Sequence, residues 1–158
     1  SKFGEKVPEW PEGISFPVSP LNLKKHMATN FDGFTQKAGI KGTHNLVEFN
    51  KAADQYGIKI TSRSNHPSVD GLSQVEYQIL KADGSSEYKA QIFKKTVYDP
   101  SKISDDEMLY LGQVASAKNF PGSGVTTPYN SNAGGISFRV YTDGSGGVKN
   151  VHPRFENE

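Results

Sequence analysis

GGISFRVYTDGSGGVKNVHPRF, residues 134–155, is the stretch on which the fold turns. Its two halves, ISFRVY and VKNVHPRF, are short strand-forming runs separated by TDGSGG, and the combination reads as a closing β-hairpin. Immediately before it, FPGSGVTTPYNSNAG (120–134) carries too many turn formers for a regular element and reads as a long flexible loop, a lid or a substrate edge. Upstream again, Ser104 opens a helix. SDDE supplies a capping box closed by Glu107, the first turn is acidic, and Met108, Leu111 and Ala115 form a buried stripe.

Further outward, Val75, Tyr77 and Ile79 alternate with Gln74, Glu76 and Gln78. After the turn ADGSS, Tyr88, Ala90 and Ile92 alternate in turn, so this pair predicts a second hairpin ending at Lys94 and Lys95. A strand begins at Ile58 and Ile60. Before it, Leu46, Phe49, Ala53 and Tyr56 recur at helical spacing between a capping Thr43 and a terminating Gly57, which predicts a helix over 43–57. Residues 22–30 are a short helical candidate. Residues 1–20 hold Pro8, Pro11, Pro17 and Pro20 and read as a linker or arm that tethers a single domain over 21–158, with Trp10 and Phe16 as candidate docking aromatics. Helices early and mostly antiparallel strands later make the class α+β.

A chain of 158 residues is long enough for one domain with a real core. Mean hydropathy of -0.60, with no apolar run of membrane length, suits a loop-rich chain with a solvated surface. The formal charge of +1 gives no global pull toward polyanions, so any basic surface must be local. Absence of cysteine excludes disulfides and thiolate metal sites, and suits a chain that crosses compartments or threads a membrane unfolded. The start SKFGEKVPEWPEG lacks the apolar segment of a signal peptide and reads like a piece cut from something longer.

Among four histidines, His26 and His44 flank HMATNFDGFTQKAGIKGTH, and KKTVYDP follows at 94–100. Two imidazoles and an ammonium suffice to cleave RNA without a metal. One ring takes the proton of the ribose 2′-hydroxyl, the other protonates the leaving 5′-oxygen, and the cation steadies charge on phosphorus. In the first turn of the 43–57 helix the dipole would disfavour a charged His44, which suits a base. No histidine pair has zinc or iron spacing, no glycine cluster is followed by Lys-Ser/Thr, and no Gly-x-Ser-x-Gly elbow occurs. His66, in SNHPSVDG, reads as a loop residue.

In the order and spacing of these motifs the chain resembles the EndoU family of ribonucleases, which includes bacterial EndoU domains at the C-termini of contact-dependent growth inhibition toxins. His26 matches the first family histidine, KGTH with His44 the second, Lys95 in KKTVYDP the lysine, and GGISFRVYTDGSGGVKNVHP the final hairpin. His152 stands where the family has a tyrosine, Asn150 where it has a threonine, and Thr43 near a glycine. The resemblance spans roughly residues 22–155. It implies an EndoU-like fold of the barnase-EndoU-colicin-RelE type and metal-independent, cofactor-free cleavage to a 2′,3′-cyclic phosphate. The RNA requirement follows because DNA has no 2′-hydroxyl. The catalytic set would be His26, His44 and Lys95, with Lys94 in its place if the strand register slips by one. Tyr141, Asn150 and His152 would contact substrate. The resemblance further implies a larger secreted carrier, action in the target-cell cytoplasm, an RNA substrate for which tRNA is a candidate, and a cognate immunity protein. That partner would meet a cleft gathering Lys24, Lys25, His26, Lys37, Lys41, Lys94 and Lys95. The rival readings are a non-catalytic RNA- or protein-binding module on the same scaffold and a metal-dependent hydrolase.

Overall fold

The computed structural model describes residues 31–122, 124–144 and 147–155. The 1–20 arm, the 22–30 helical candidate and His26 lie outside these residues. In chain order the elements are β1 (Phe31–Thr35), β2 (Gly39–Gly42), α1 (Leu46–Gln55), β3 (Lys59–Asn65), β4 (Leu72–Gln78), β5 (Phe93–Tyr98), α2 (Asp105–Lys118), β6 (Tyr129–Ala133), β7 (Ile136–Thr142) and β8 (Val148–Arg154). Among the described residues all strand pairs are antiparallel, in three sheets ordered β1-β2, β3-β4-β5 and β6-β7-β8.

The class is α+β, but the helices are not confined to the N-terminal part. α2 falls between β5 and β6, where Met108, Leu111, Val114 and Ala115 pack on Ile136, Phe138, Val140, Val148 and Val151 of the last sheet. A sheet with one apolar face needs such a cover, and the buried side of the 105–118 helix supplies it locally. The predicted capping box is present. The Ser104 hydroxyl accepts from the Glu107 amide at 3.1 Å, and the Glu107 carboxylate accepts from the Ser104 amide at 3.3 Å.

A second core joins α1 to β2, β4 and β5 through Phe49, Ala52, Ile40, Val75, Tyr77, Ile79, Phe93 and Val97. Here the β1–β2 hairpin was not anticipated from the sequence. Gly39 allows it: φ is +68°, and a Cβ there would collide with the Tyr77 hydroxyl. That hydroxyl instead accepts from the Ile40 amide at 3.0 Å and locks the hairpin onto β4.

Several boundaries differ from expectation. The cap of α1 is Asn45, whose side chain accepts from Val47 and Glu48 amides; Thr43 has a φ of 61°, outside the extended region an N-cap needs. Residues 88–92 are not a strand. A single Leu80–Tyr88 bridge stands in place of a ladder after β4, the Tyr88 hydroxyl donates to the Gly57 carbonyl, and the ladder with β4 resumes at Phe93. Lys94 and Lys95 therefore sit inside β5 rather than at a hairpin end. Within the expected 120–134 loop, Tyr129–Ala133 forms β6, because every residue pairs with β7. The closing hairpin is β7–β8, with a register shift at Tyr141/Thr142.

Candidate active site

A cleft of about 790 Å³ opens where the outer edge of β5 meets β8 and the β2–α1 junction. Its walls include His44, Lys95, Tyr141, Asn150 and His152, five of the six residues expected to act. The sixth, His26, is outside the described residues.

His44 stands one residue before the Asn45 cap, so it is not in the first turn of α1, and the dipole argument for it as a base loses its ground. A different device orients the ring. His44 is buried, and its Nδ1 lies 2.8 Å from the Thr96 carbonyl of β5. A carbonyl only accepts, so Nδ1 carries the proton and the neutral ring has its lone pair on Nε2. The main chain is pinned as well: the Tyr98 amide donates to the His44 carbonyl at 2.9 Å. Preceding it, Thr43 is buried in the left-handed region, a conformation costing a β-branched residue roughly 1–3 kcal/mol. A glycine would adopt it freely. The surrounding core holds the turn despite that cost.

Lys94 and Lys95 are separated by the alternation of β5. Lys95 is only 9% exposed and shares a face with Phe93 and Val97; its ammonium donates to the Ile40 carbonyl at 2.9 Å. Lys94 lies on the opposite, exposed face, 3.9 Å from Glu76. Both reach the cleft because β5 is an edge strand there.

Asn150, His152 and Arg154 alternate along one face of β8, and Tyr141 pairs with Asn150 across the ladder. His152 stacks on His44, with ring centroids 4.9 Å apart and planes within 6°. Its Nδ1–H donates to the Pro153 carbonyl at 3.0 Å, so in the neutral ring Nε2 accepts from the Tyr141 hydroxyl at 3.3 Å. Asn150 Oδ1 is buried with no hydrogen-bond partner among the described residues. An orphaned acceptor costs roughly 1–3 kcal/mol unless a donor arrives from outside.

Cations from Lys41, Lys94, Lys95 and Arg154 line the cleft, and among the described residues no Asp or Glu does. Lys37 is exposed but does not line it; Lys24 and Lys25 are outside the described residues. Among the described residues no three His, Asp or Glu side chains gather as metal ligands. Sequence reasoning missed Gln74, Thr96, Arg154 and Phe155 in the walls. Arg154 was within reach, two positions past His152 on an alternating strand. Thr96 acts through its backbone, which no side-chain pattern reveals.

No family model matches the chain. Over 95% of its length it is 40% identical to a segment of a protein named tRNA nuclease CdiA from Yersinia mollaretii, and 39% identical to a segment of a tRNA nuclease CdiA from Escherichia coli strain STEC_O31. In each case the chain spans about 5% of the relative's length.

Proposed function

As a homologue of that CdiA segment, the chain is, we propose, the RNA-cleaving toxin module of a large contact-dependent inhibition effector, working by EndoU-type chemistry. The observation that carries this reading is the cleft, where an imidazole of fixed tautomer and a buried ammonium share one wall with the cations Lys41, Lys94 and Arg154. His44 Nε2 takes the proton of a ribose 2′-hydroxyl as the 2′-oxygen attacks phosphorus. The bond to the 5′-oxygen breaks, His26 protonates that oxygen, and a 2′,3′-cyclic phosphate and a 5′-hydroxyl result. Lys95, already turned into the cleft, offsets the negative charge of the pentavalent phosphorus. The two histidines exchange roles under microscopic reversal. Tyr141, Asn150 and His152 hold the nucleoside that supplies the 2′-hydroxyl, and the orphaned Asn150 acceptor suits an N–H or O–H donor of that nucleoside.

The names of the relatives make tRNA the first substrate to try. In this reading the domain travels on a larger secreted carrier, acts in the cytoplasm of the recipient cell, and is neutralised by an immunity protein covering the cleft. The test is incubation of the purified chain with tRNA in EDTA, followed by mapping of both ends at the cut. Cyclic-phosphate and 5′-hydroxyl ends are expected. Intact tRNA at high protein concentration would leave only a binding module. Cleavage abolished by EDTA, or 5′-phosphate ends, would mean metal-dependent hydrolysis.

A further inference from the structure

One end of the cleft carries an aromatic residue that this chemistry does not use. Phe155 follows directly on β8, lines the cleft and is half-buried. Its ring meets that of His66 edge to face, centroids 5.4 Å apart at 76°. His66 is itself buried and held firmly. Its Nδ1 accepts from the Ser68 amide at 3.1 Å and the Val69 amide at 3.0 Å, which fixes both the ring and its Nε2–H tautomer. A backbone-anchored imidazole thus braces an aromatic ring at the lip of an RNA-sized cleft.

The order of groups along β8 gives this ring a place. Asn150, His152 and Arg154 share a face over about 13 Å at strand spacing. Asn150 and Tyr141 stand at one end, the His44–His152 stack in the middle, and Arg154 with Phe155 at the other. With the nucleoside that supplies the 2′-hydroxyl at the Asn150 end and the scissile phosphate at the stack, the chain of the substrate leaves past Arg154 and Phe155.

We propose that Phe155, braced by His66, is a stacking platform for the base on the leaving side of the scissile phosphate. This rests on the nuclease reading above for the direction of the strand. Aromatic stacking tolerates any base, so the subsite adds binding without adding sequence preference. Arg154 beside it offers a guanidinium to the phosphate that follows.

The experiment uses two RNA oligonucleotides made uncleavable by a 2′-deoxy substitution at the attacking nucleoside, one with a normal leaving-side base and one abasic there. Their dissociation constants are measured with the wild-type chain, Phe155→Ala, Phe155→Leu and Phe155→Trp. In the wild type, base removal should weaken binding by about 5- to 100-fold. With Phe155→Ala the penalty should shrink to less than about twofold. Phe155→Leu, which keeps apolar bulk against His66, should behave like Ala if the ring itself matters, and Phe155→Trp like the wild type. Equal penalties in wild type and Phe155→Ala, or none in the wild type, would overturn the subsite. The readout is binding, so the same pattern on a chain that leaves unmodified RNA uncut would uphold the platform while removing the nuclease reading.

Discussion

At the scale of single residues, the two lysines of KKTVYDP are the sharpest discriminators. Adjacent in sequence, they face opposite sides of β5: Lys95 is held against the Ile40 carbonyl and Lys94 sits near Glu76 in solvent. Lys95→Ala should lower kcat by at least ~100-fold with a smaller change in RNA affinity, since charge on the pentavalent phosphorus exists only in the transition state. Lys94→Ala should change affinity a few-fold at most. Single-turnover and binding measurements separate the two, and the reverse ranking would move the electrophile to Lys94. His26→Ala and His44→Ala should each slow cleavage by ~100-fold or more. Because His44 is buried, His44→Ala should also lower stability. Losing the ring orphans the Thr96 carbonyl and the face of His152, so a cost of roughly 1–3 kcal/mol should appear in urea unfolding.

At the scale of elements, three polar side chains tie the pieces that present His44. Asn45 caps α1 and also donates to Asp105 at 2.9 Å, and the Tyr98 hydroxyl at the end of β5 donates to the same carboxylate oxygen at 2.5 Å. Asn45→Ala should cost about 1–2 kcal/mol through the cap and lower turnover by letting His44 drift. Burial, followed by the Asp105 hydrogen bond and charge, holds the Tyr98 hydroxyl protonated well above the ordinary tyrosine range. Burial likewise raises Tyr77 and pushes Tyr129 up to about 12. Unfolded tyrosines lose their protons near 10 while these keep theirs, so the unfolded state binds fewer protons above that pH. Stability from these groups is complete below pH ~10 and should fall as pH rises from there toward and beyond 12; urea midpoints between pH 8 and 11.5 measure it. A flat profile would mean that the hydroxyls are solvated. Elements with a local signal were legible beforehand: the Ser104–Glu107 box, the Met108–Leu111–Ala115 stripe and the final hairpin all formed as read. The β1–β2 hairpin was hidden because its determinant is the distant Tyr77 hydroxyl against Gly39, and β6 because YNSNA has turn-like composition yet acquires a partner in β7. Of the candidate site, the side-chain types and their order could be read beforehand, but not the carbonyls of Thr96 and Ile40 that hold His44 and Lys95.

At the scale of the whole molecule, the cleft lies between two cores. His44 and Lys95 belong to the half built around α1, β2, β4 and β5, whereas Tyr141, Asn150 and His152 belong to the half built on α2 and β6–β8. The net charge of +1 conceals a local cationic wall at this junction. An immunity protein that occludes the cleft should therefore present an acidic face, and cross-links confined to surfaces remote from His44 would instead indicate inhibition at a distance. RNA feels the same field. Lys41, Lys94, Lys95 and Arg154 can meet about three or four phosphates, and single-stranded RNA releases roughly 0.7 counterion per phosphate neutralised, so log K should fall against log salt with a slope of about −2 to −3. Lys41 is exposed and belongs to neither core. Lys41→Gln should weaken binding for every sequence alike and reduce that slope by about 0.7, leaving the cut site unchanged. A slope near zero in the wild type would mean that the cationic wall does not meet the phosphate backbone. An unchanged slope in Lys41→Gln would mean that the RNA path does not reach Lys41.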